Sequence, residues 1–95
     1  MPGDYTIGSN QWNGLSKVIE ECAELQQVLA KIIGNSGKTN YWDSDLDKLL
    51  VEELGDTLAT IYFFIENNDC IELEDVLARC KRKTNKFKRW NIKDA

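Results

Sequence analysis

The chain contains no histidine. Ser-His-Asp triads, Cys-His nucleophile pairs and every histidine-bearing zinc motif are therefore excluded. Cysteine is scarce. Cys22, Cys70 and Cys80 make an odd count with no CxxC pairing, so no disulfide framework is indicated. Cys22 and Cys80 fall at apolar helix positions and are expected to be buried free thiols, which fits a reducing cytoplasm. Long hydrophobic runs are missing. The longest nearly apolar stretch, Leu58 to Ile65, is too short to span a bilayer, and no signal peptide is visible at Met1-Pro2-Gly3. A cytoplasmic protein without a membrane partner is the expectation. A basic excess is missing too: the net charge of −4 argues against a nucleic-acid-binding module.

What is present is a short chain with strong helical periodicity. Its 95 residues make one domain, residues 1–95. A chain of this size buries only about 60–65% of its unfolded surface, so self-association is an ordinary way to enlarge the core. Residues 1–10 are polar, carry glycines and the only proline, and read as a flexible or docking arm. A first helix starts between Gln11 and Ser16. Its apolar stripe is Leu15, Val18, Ile19, Cys22, Leu25, Leu29, Ile32 and Ile33, and Gly34 suits the C′ stop. Gly34 to Asp43 has loop composition. Ser44 with Asp47 resembles a capping box for a second helix, which runs to about Asn67 with Leu46, Leu50, Leu54, Leu58, Ile61, Tyr62 and Ile65 as its apolar positions. A third helix spans about Glu72 to Phe87, with Val76, Leu77, Cys80 and Phe87 expected inward. No useful β-alternation or internal repeat is present. The fold class is all-α, a small helical bundle.

Two acidic motifs stand out: Glu20-Glu21-x-x-Glu24 on the first helix and Glu53-x-x-Asp56 on the second. Residues three or four apart share a helix face. On a wheel, Glu21 lies at the edge of the apolar arc, Glu24 further round and Glu20 furthest. Glu53 and Asp56 flank the second arc in the same way, while Glu52 points away. Antiparallel packing of the two stripes would make Glu21, Glu24, Glu53 and Asp56 a four-carboxylate cage. Acidic clusters on solvated helix faces are common. These acids differ in bordering the core, with Lys17 as the one basic residue at helical spacing from them. Gly55, an unfavourable helix residue beside Asp56, would permit close helix approach or ligand access. Clustered carboxylates repel one another, and hard divalent cations, above all magnesium, offset that repulsion. Phosphate chemistry follows, since magnesium is its usual charge clamp.

Glu20-Glu21-x-x-Glu24-Leu25 followed by Val51-Glu52-Glu53-Leu54-Gly55-Asp56-Thr57-Leu58-Ala59 resembles the all-α NTP pyrophosphohydrolases, the MazG-like and dimeric dUTPase superfamily. The resemblance covers roughly residues 11–90. It implies hydrolysis of a nucleoside triphosphate to monophosphate and pyrophosphate, with Mg2+ or alternatively Mn2+ as cofactor. It implies that Glu21, Glu24, Glu53 and Asp56 ligate metal, and that Glu20 and Glu21 serve catalysis, Glu20 by positioning water or a metal-bound water. It further implies a homodimer or homotetramer, its core completed by dimerisation and its sites near the subunit interface. Phosphoribosyl-ATP pyrophosphohydrolase shares the architecture and stands as an alternative. A non-enzymatic helical interaction module is the alternative from another class.

The last helix is strongly basic from Arg79 to Arg89, which suits a helix C-terminus and its dipole, or a nucleic acid bound through the basic tail. Relatives carry a Lys, an Asn and an Arg in this region that reach the substrate. Lys81, Asn85 and Arg89, at successive i+4 steps, are the matching candidates here, with Lys83 and Lys88 as alternatives in another register. Trp12, Tyr41 and Trp42 lie outside the main stripes, where they could stack on a base or pack on a partner subunit, and Lys38 could contact phosphate. Gly34-Asn-Ser-Gly37-Lys38-Thr39 lacks the spacing and preceding strand of a P-loop.

Overall fold

The computed structural model describes residues 4–41 and 44–92. Trp42, one of the aromatic residues noted above, and Met1-Pro2-Gly3 lie outside the described residues. The described chain folds as α1 (Leu15–Gly34), a minimal antiparallel ladder of β1 (Asn40–Tyr41) and β2 (Ser44–Asp45), α2 (Leu46–Glu66) and α3 (Leu73–Asn91). The fold is all-α, with the two-residue strands as a clasp in the α1–α2 connection. α3 runs one turn beyond the expected Phe87.

Helices α1 and α2 form an antiparallel hairpin. Asn68 clasps Asn13 at one end, donating to its carbonyl at 3.0 Å and accepting from its N–H at 3.1 Å. Thr57 Oγ1 donates to the Glu21 carbonyl midway, at 3.4 Å. Leu46 N donates to the Thr39 carbonyl at the other end, at 2.9 Å. Among the described residues Val28, Leu46 and Ile65 are the buried large apolar ones, and Thr57 and Thr60 are buried between Leu46 and Ile65 in sequence.

Local caps differ from the expected ones. Asp45, not Ser44, caps α2, its Oδ1 accepting from Lys48 N at 3.1 Å. Asp47 instead accepts from Thr39 Oγ1 at 2.8 Å, fastening the connection to the helix. At the end of α1 the left-handed residues are Ser36 (φ 56) and Gly37 (φ 83), two and three positions beyond Gly34. Gly37 N bonds Ile32 O at 2.8 Å and Ser36 N bonds Ile33 O at 3.0 Å, the paired bonds of a Schellman ending.

The apolar stripes are only half used. Ile19, Leu29 and Ile33 on α1 are exposed, as is the row Val51, Leu54, Leu58 and Tyr62 on α2. The third helix corrects the expectation most clearly. It buries no residue: Val76 is half-buried, and Leu77, Cys80 and Phe87 are exposed, because α3 does not pack along either hairpin helix. Cys80 is thus an exposed thiol and Cys22 a half-buried one. The radius of gyration is 16.7 Å, against about 12 Å for a compact domain of this length. The shortest extent, 16 Å, is little more than one helix layer. No described helix is long and apolar enough to cross a membrane.

Residues 4–14 fold back over the start of α1. Tyr5 O accepts from Ser16 N at 3.0 Å, and Thr6 O accepts from Ser9 N and Gly14 N, both at 3.1 Å. Gly14, the N-cap of α1, has φ 87, and a Cβ there would stand 3.0 Å from Phe63 Cδ1. Gly14→Ala should therefore cost about 1–3 kcal/mol, from the left-handed backbone and the displaced ring. Gly34→Ala is the control, because its Cβ would meet nothing within 4 Å. Urea unfolding should show a loss for the first and none for the second. Equal stability for both variants would contradict the packing of Phe63 on Gly14.

Candidate functional site

The hairpin brings both acidic motifs to one place. α1 supplies Glu20, Glu21 and Glu24, and α2 supplies Glu53 and Asp56. Carboxylate oxygens of Glu20, Glu21 and Glu24 lie within 4.8 Å of one another, as do those of Glu21, Glu53 and Asp56. Glu21 belongs to both groups and joins them. Gly55 plays no part in close approach, since a Cβ on it would point into open space.

Two atoms define the site. Glu21 Oε1 and Glu53 Oε1 are buried and have no hydrogen-bond partner. A carboxylate oxygen removed from water without a partner is costly unless the group is neutralised or a cation is supplied. Burial accordingly raises the Glu21 pKa, and the charges of Glu24, Asp56 and Glu20 add to the rise against an opposing effect of Lys17. Burial also raises that of Glu53, reinforced by Glu24, Asp56, Glu21 and Glu52. Because Glu24 acts on both, four carboxylates form one electrostatic unit. All its donors are oxygens, which suits a hard divalent cation. The two orphaned oxygens show that the residues fit one.

Lys17 is the local counter-charge. Its Nζ bonds Glu20 Oε1 at 2.5 Å, and its pKa is raised by that bond and then by the charge of Glu20. Both side chains are about half exposed, so the pair adds little stability. Beside the carboxylates is an open cavity of about 380 Å3, lined by Ile7, Lys17, Glu21, Asp56, Ala59, Thr60 and Phe63. Asp56, Ala59, Thr60 and Phe63 follow i, i+3, i+4, i+7 spacing, which could have revealed them as one helix face. Ile7 carried no such signal.

The other candidates lie apart from the acids. Trp12, with left-handed φ 49, stacks on Phe64 at 5.9 Å between ring centroids and does not line the cavity. Lys38 is exposed in the turn after α1, whose last residue, Gly34, lies about 15 Å beyond Glu24 along the helix axis. Asn85 and Arg89 share a basic groove on α3 with Arg79, Arg82, Lys83 and Lys86, and Lys81 does not line it. None of Lys81, Asn85 and Arg89 lines the acidic cavity.

A family model, that of the MazG nucleotide pyrophosphohydrolase domain, matches residues 11–90. The chain belongs to the MazG nucleotide pyrophosphohydrolase family. No curated protein and no solved structure matches it. The MazG match contains all five clustered acids and both hairpin helices, and it leaves Ile7 of the arm outside.

This MazG domain should show a particular pH dependence when metal-free. A carboxyl group whose folded pKa is raised binds protons more tightly folded than unfolded. Its contribution to stability is fully present below the ordinary value of 4.5 and is lost as pH rises through the raised values of Glu21 and Glu53. Urea unfolding in chelator should show Glu53→Gln gaining on wild type as pH rises from mildly acidic to neutral. Parallel stability curves for the two proteins would contradict the buried, unpaired state of Glu53.

Proposed function

We propose that the protein is a magnesium-dependent nucleoside triphosphate pyrophosphohydrolase, releasing a monophosphate and pyrophosphate. The observation that carries this reading is the pair of buried, unpartnered oxygens on Glu21 and Glu53, placed where the two acidic motifs meet. Membership of the MazG family supports the reaction class. Glu21, Glu24, Glu53 and Asp56 hold Mg2+, with Mn2+ as a substitute. The cation, when bound, offsets polyphosphate charge and lowers the pKa of water. Glu20, exposed at the rim and tied to Lys17, positions the attacking water and accepts its proton. Lys17 is the cation among the cavity-lining residues and steadies Glu20.

The assembly we propose is a dimer, or a pair of dimers, in the cytoplasm. The exposed row Val51, Leu54, Leu58 and Tyr62 and the unpacked stripe of α3 support it. In that assembly Lys81, Asn85 and Arg89 reach the triphosphate from a second copy, because α3 does not pack along its own hairpin.

A panel of nucleoside triphosphates with magnesium, followed by phosphorus NMR, tests the activity. Monophosphate and intact pyrophosphate should appear together, with no diphosphate intermediate. Glu21→Gln and Asp56→Asn should each lower kcat/KM about a hundredfold or more, equivalent to about 2.7 kcal/mol of transition-state stabilisation. Glu52→Gln should retain activity. Orthophosphate appearing first, or active Glu21 and Asp56 variants, would sink the reading. Light scattering at low micromolar concentration should give a dimer or larger, and a fully active monomer would remove the assembly.

A further inference from the structure

The cavity beside the carboxylates has two unlike ends. Glu21 and Asp56 make one end, with Lys17 beside Glu21, and Ile7, Ala59 and Phe63 make an apolar wall, with Thr60 among them. Along α2 the order is Asp56, Ala59, Thr60, Phe63, so the wall extends about 10 Å from the acidic end. With a divalent cation held by these carboxylates and Lys17 beside them, a matching ligand would be anionic at that end and carry a flat ring against the apolar wall.

Ile7 comes from the arm, and the arm is braced. Ser9 N closes a turn on Thr6 O at 3.1 Å, with Gly8 at φ 92, the left-handed angle that a type II turn needs at its third position. Gly8 N donates to Asn13 Oδ1 at 2.7 Å. The Asn13 backbone is in turn clasped by buried Asn68. The residue held by this brace, Ile7, is nonetheless 53% exposed. The turn thus presents an apolar side chain at the cavity and does not tuck it into the core. Phe63, on the same cavity, is set in place by Gly14, which leaves room for its ring.

We propose that Ile7 and Phe63 form the nucleoside subsite, holding the base by apolar contact while the phosphates lie toward Glu21 and Asp56. This rests on the triphosphate reading above and adds the residues that take the nucleoside. No Asn, Gln or Arg lines the described cavity to bond a base edge. Lys17 and Thr60 are the polar groups beside the carboxylates, and at the Ile7–Phe63 wall selection is by shape and ring packing, which separates competing ligands only modestly.

Methyl NMR on the full chain tests this without turnover. Thymidine monophosphate and deoxyribose 5-phosphate, which lacks the base, are the two probes, each added in the presence of magnesium. Thymidine monophosphate should shift the Ile7 methyl signals, and deoxyribose phosphate should not. Ile7→Ala should weaken thymidine monophosphate about tenfold, leave deoxyribose phosphate unchanged, and fold normally because Ile7 is exposed; Ile7→Val should restore most of the affinity. A silent Ile7, or wild-type affinity in Ile7→Ala, overturns the subsite whatever the hydrolysis assay gives. Base-dependent shifts at Ile7 in a protein that hydrolyses nothing would uphold the subsite and reject the activity alone.

Discussion

The structure turns on two carboxylate oxygens, Glu21 Oε1 and Glu53 Oε1, buried between helices without a partner. Packing of the α1–α2 hairpin places them there, with Thr57 tying the helices at the Glu21 carbonyl. A chain selected only for stability would put apolar or neutral groups at these two positions. Charge repulsion from Glu24 and Asp56 makes the arrangement worse in the absence of a cation. The same repulsion becomes an asset once a divalent ion is present, because the ligands are already gathered and partly desolvated. Local instability at a site whose surroundings are well determined is the usual mark of a functional position.

The rest of the fold is built thinly around that hairpin. One helix layer cannot bury two wide stripes, so Ile19, Ile33, Val51 and Leu58 stay bare. α3 departs with its basic face and its apolar stripe both uncovered, and none of the cations in its groove lines the acidic cavity. The charge separation is therefore a property of the architecture: an acidic hairpin and a basic helix held apart. This exposed apolar surface is the face on which the proposed dimer rests.

Much of this was legible in the residues. The helices followed from 3.6-residue periodicity, and the meeting of Glu21, Glu53 and Asp56 followed from their place at the edges of two stripes, while Glu24 groups with Glu20 and Glu21. Periodicity says which side of a helix is apolar but not whether anything lies opposite, so Leu77, Cys80 and Phe87 were expected inside and are outside. The ends of elements were less legible still. Asp45 displaced Ser44 as the cap, and Ser36 took the left-handed position expected of Gly34, because short-range hydrogen bonding decides those residues. The arm was the least legible part. Its shape depends on Asn13 meeting Asn68 across the whole hairpin, a contact with no periodic trace in the sequence, and Ile7 owes its place to that contact.

Calorimetric titration of magnesium into the metal-free protein tests the role of the buried carboxylates most directly. It should be run in mildly acidic buffers of differing ionisation enthalpy, so that displaced protons are counted. Saturable binding with proton release is expected, both abolished or strongly reduced in Glu21→Gln, the residue shared by the two carboxylate groups. Absence of saturable binding, or binding that Glu21→Gln leaves unchanged, would contradict the assignment of this cluster as a metal site.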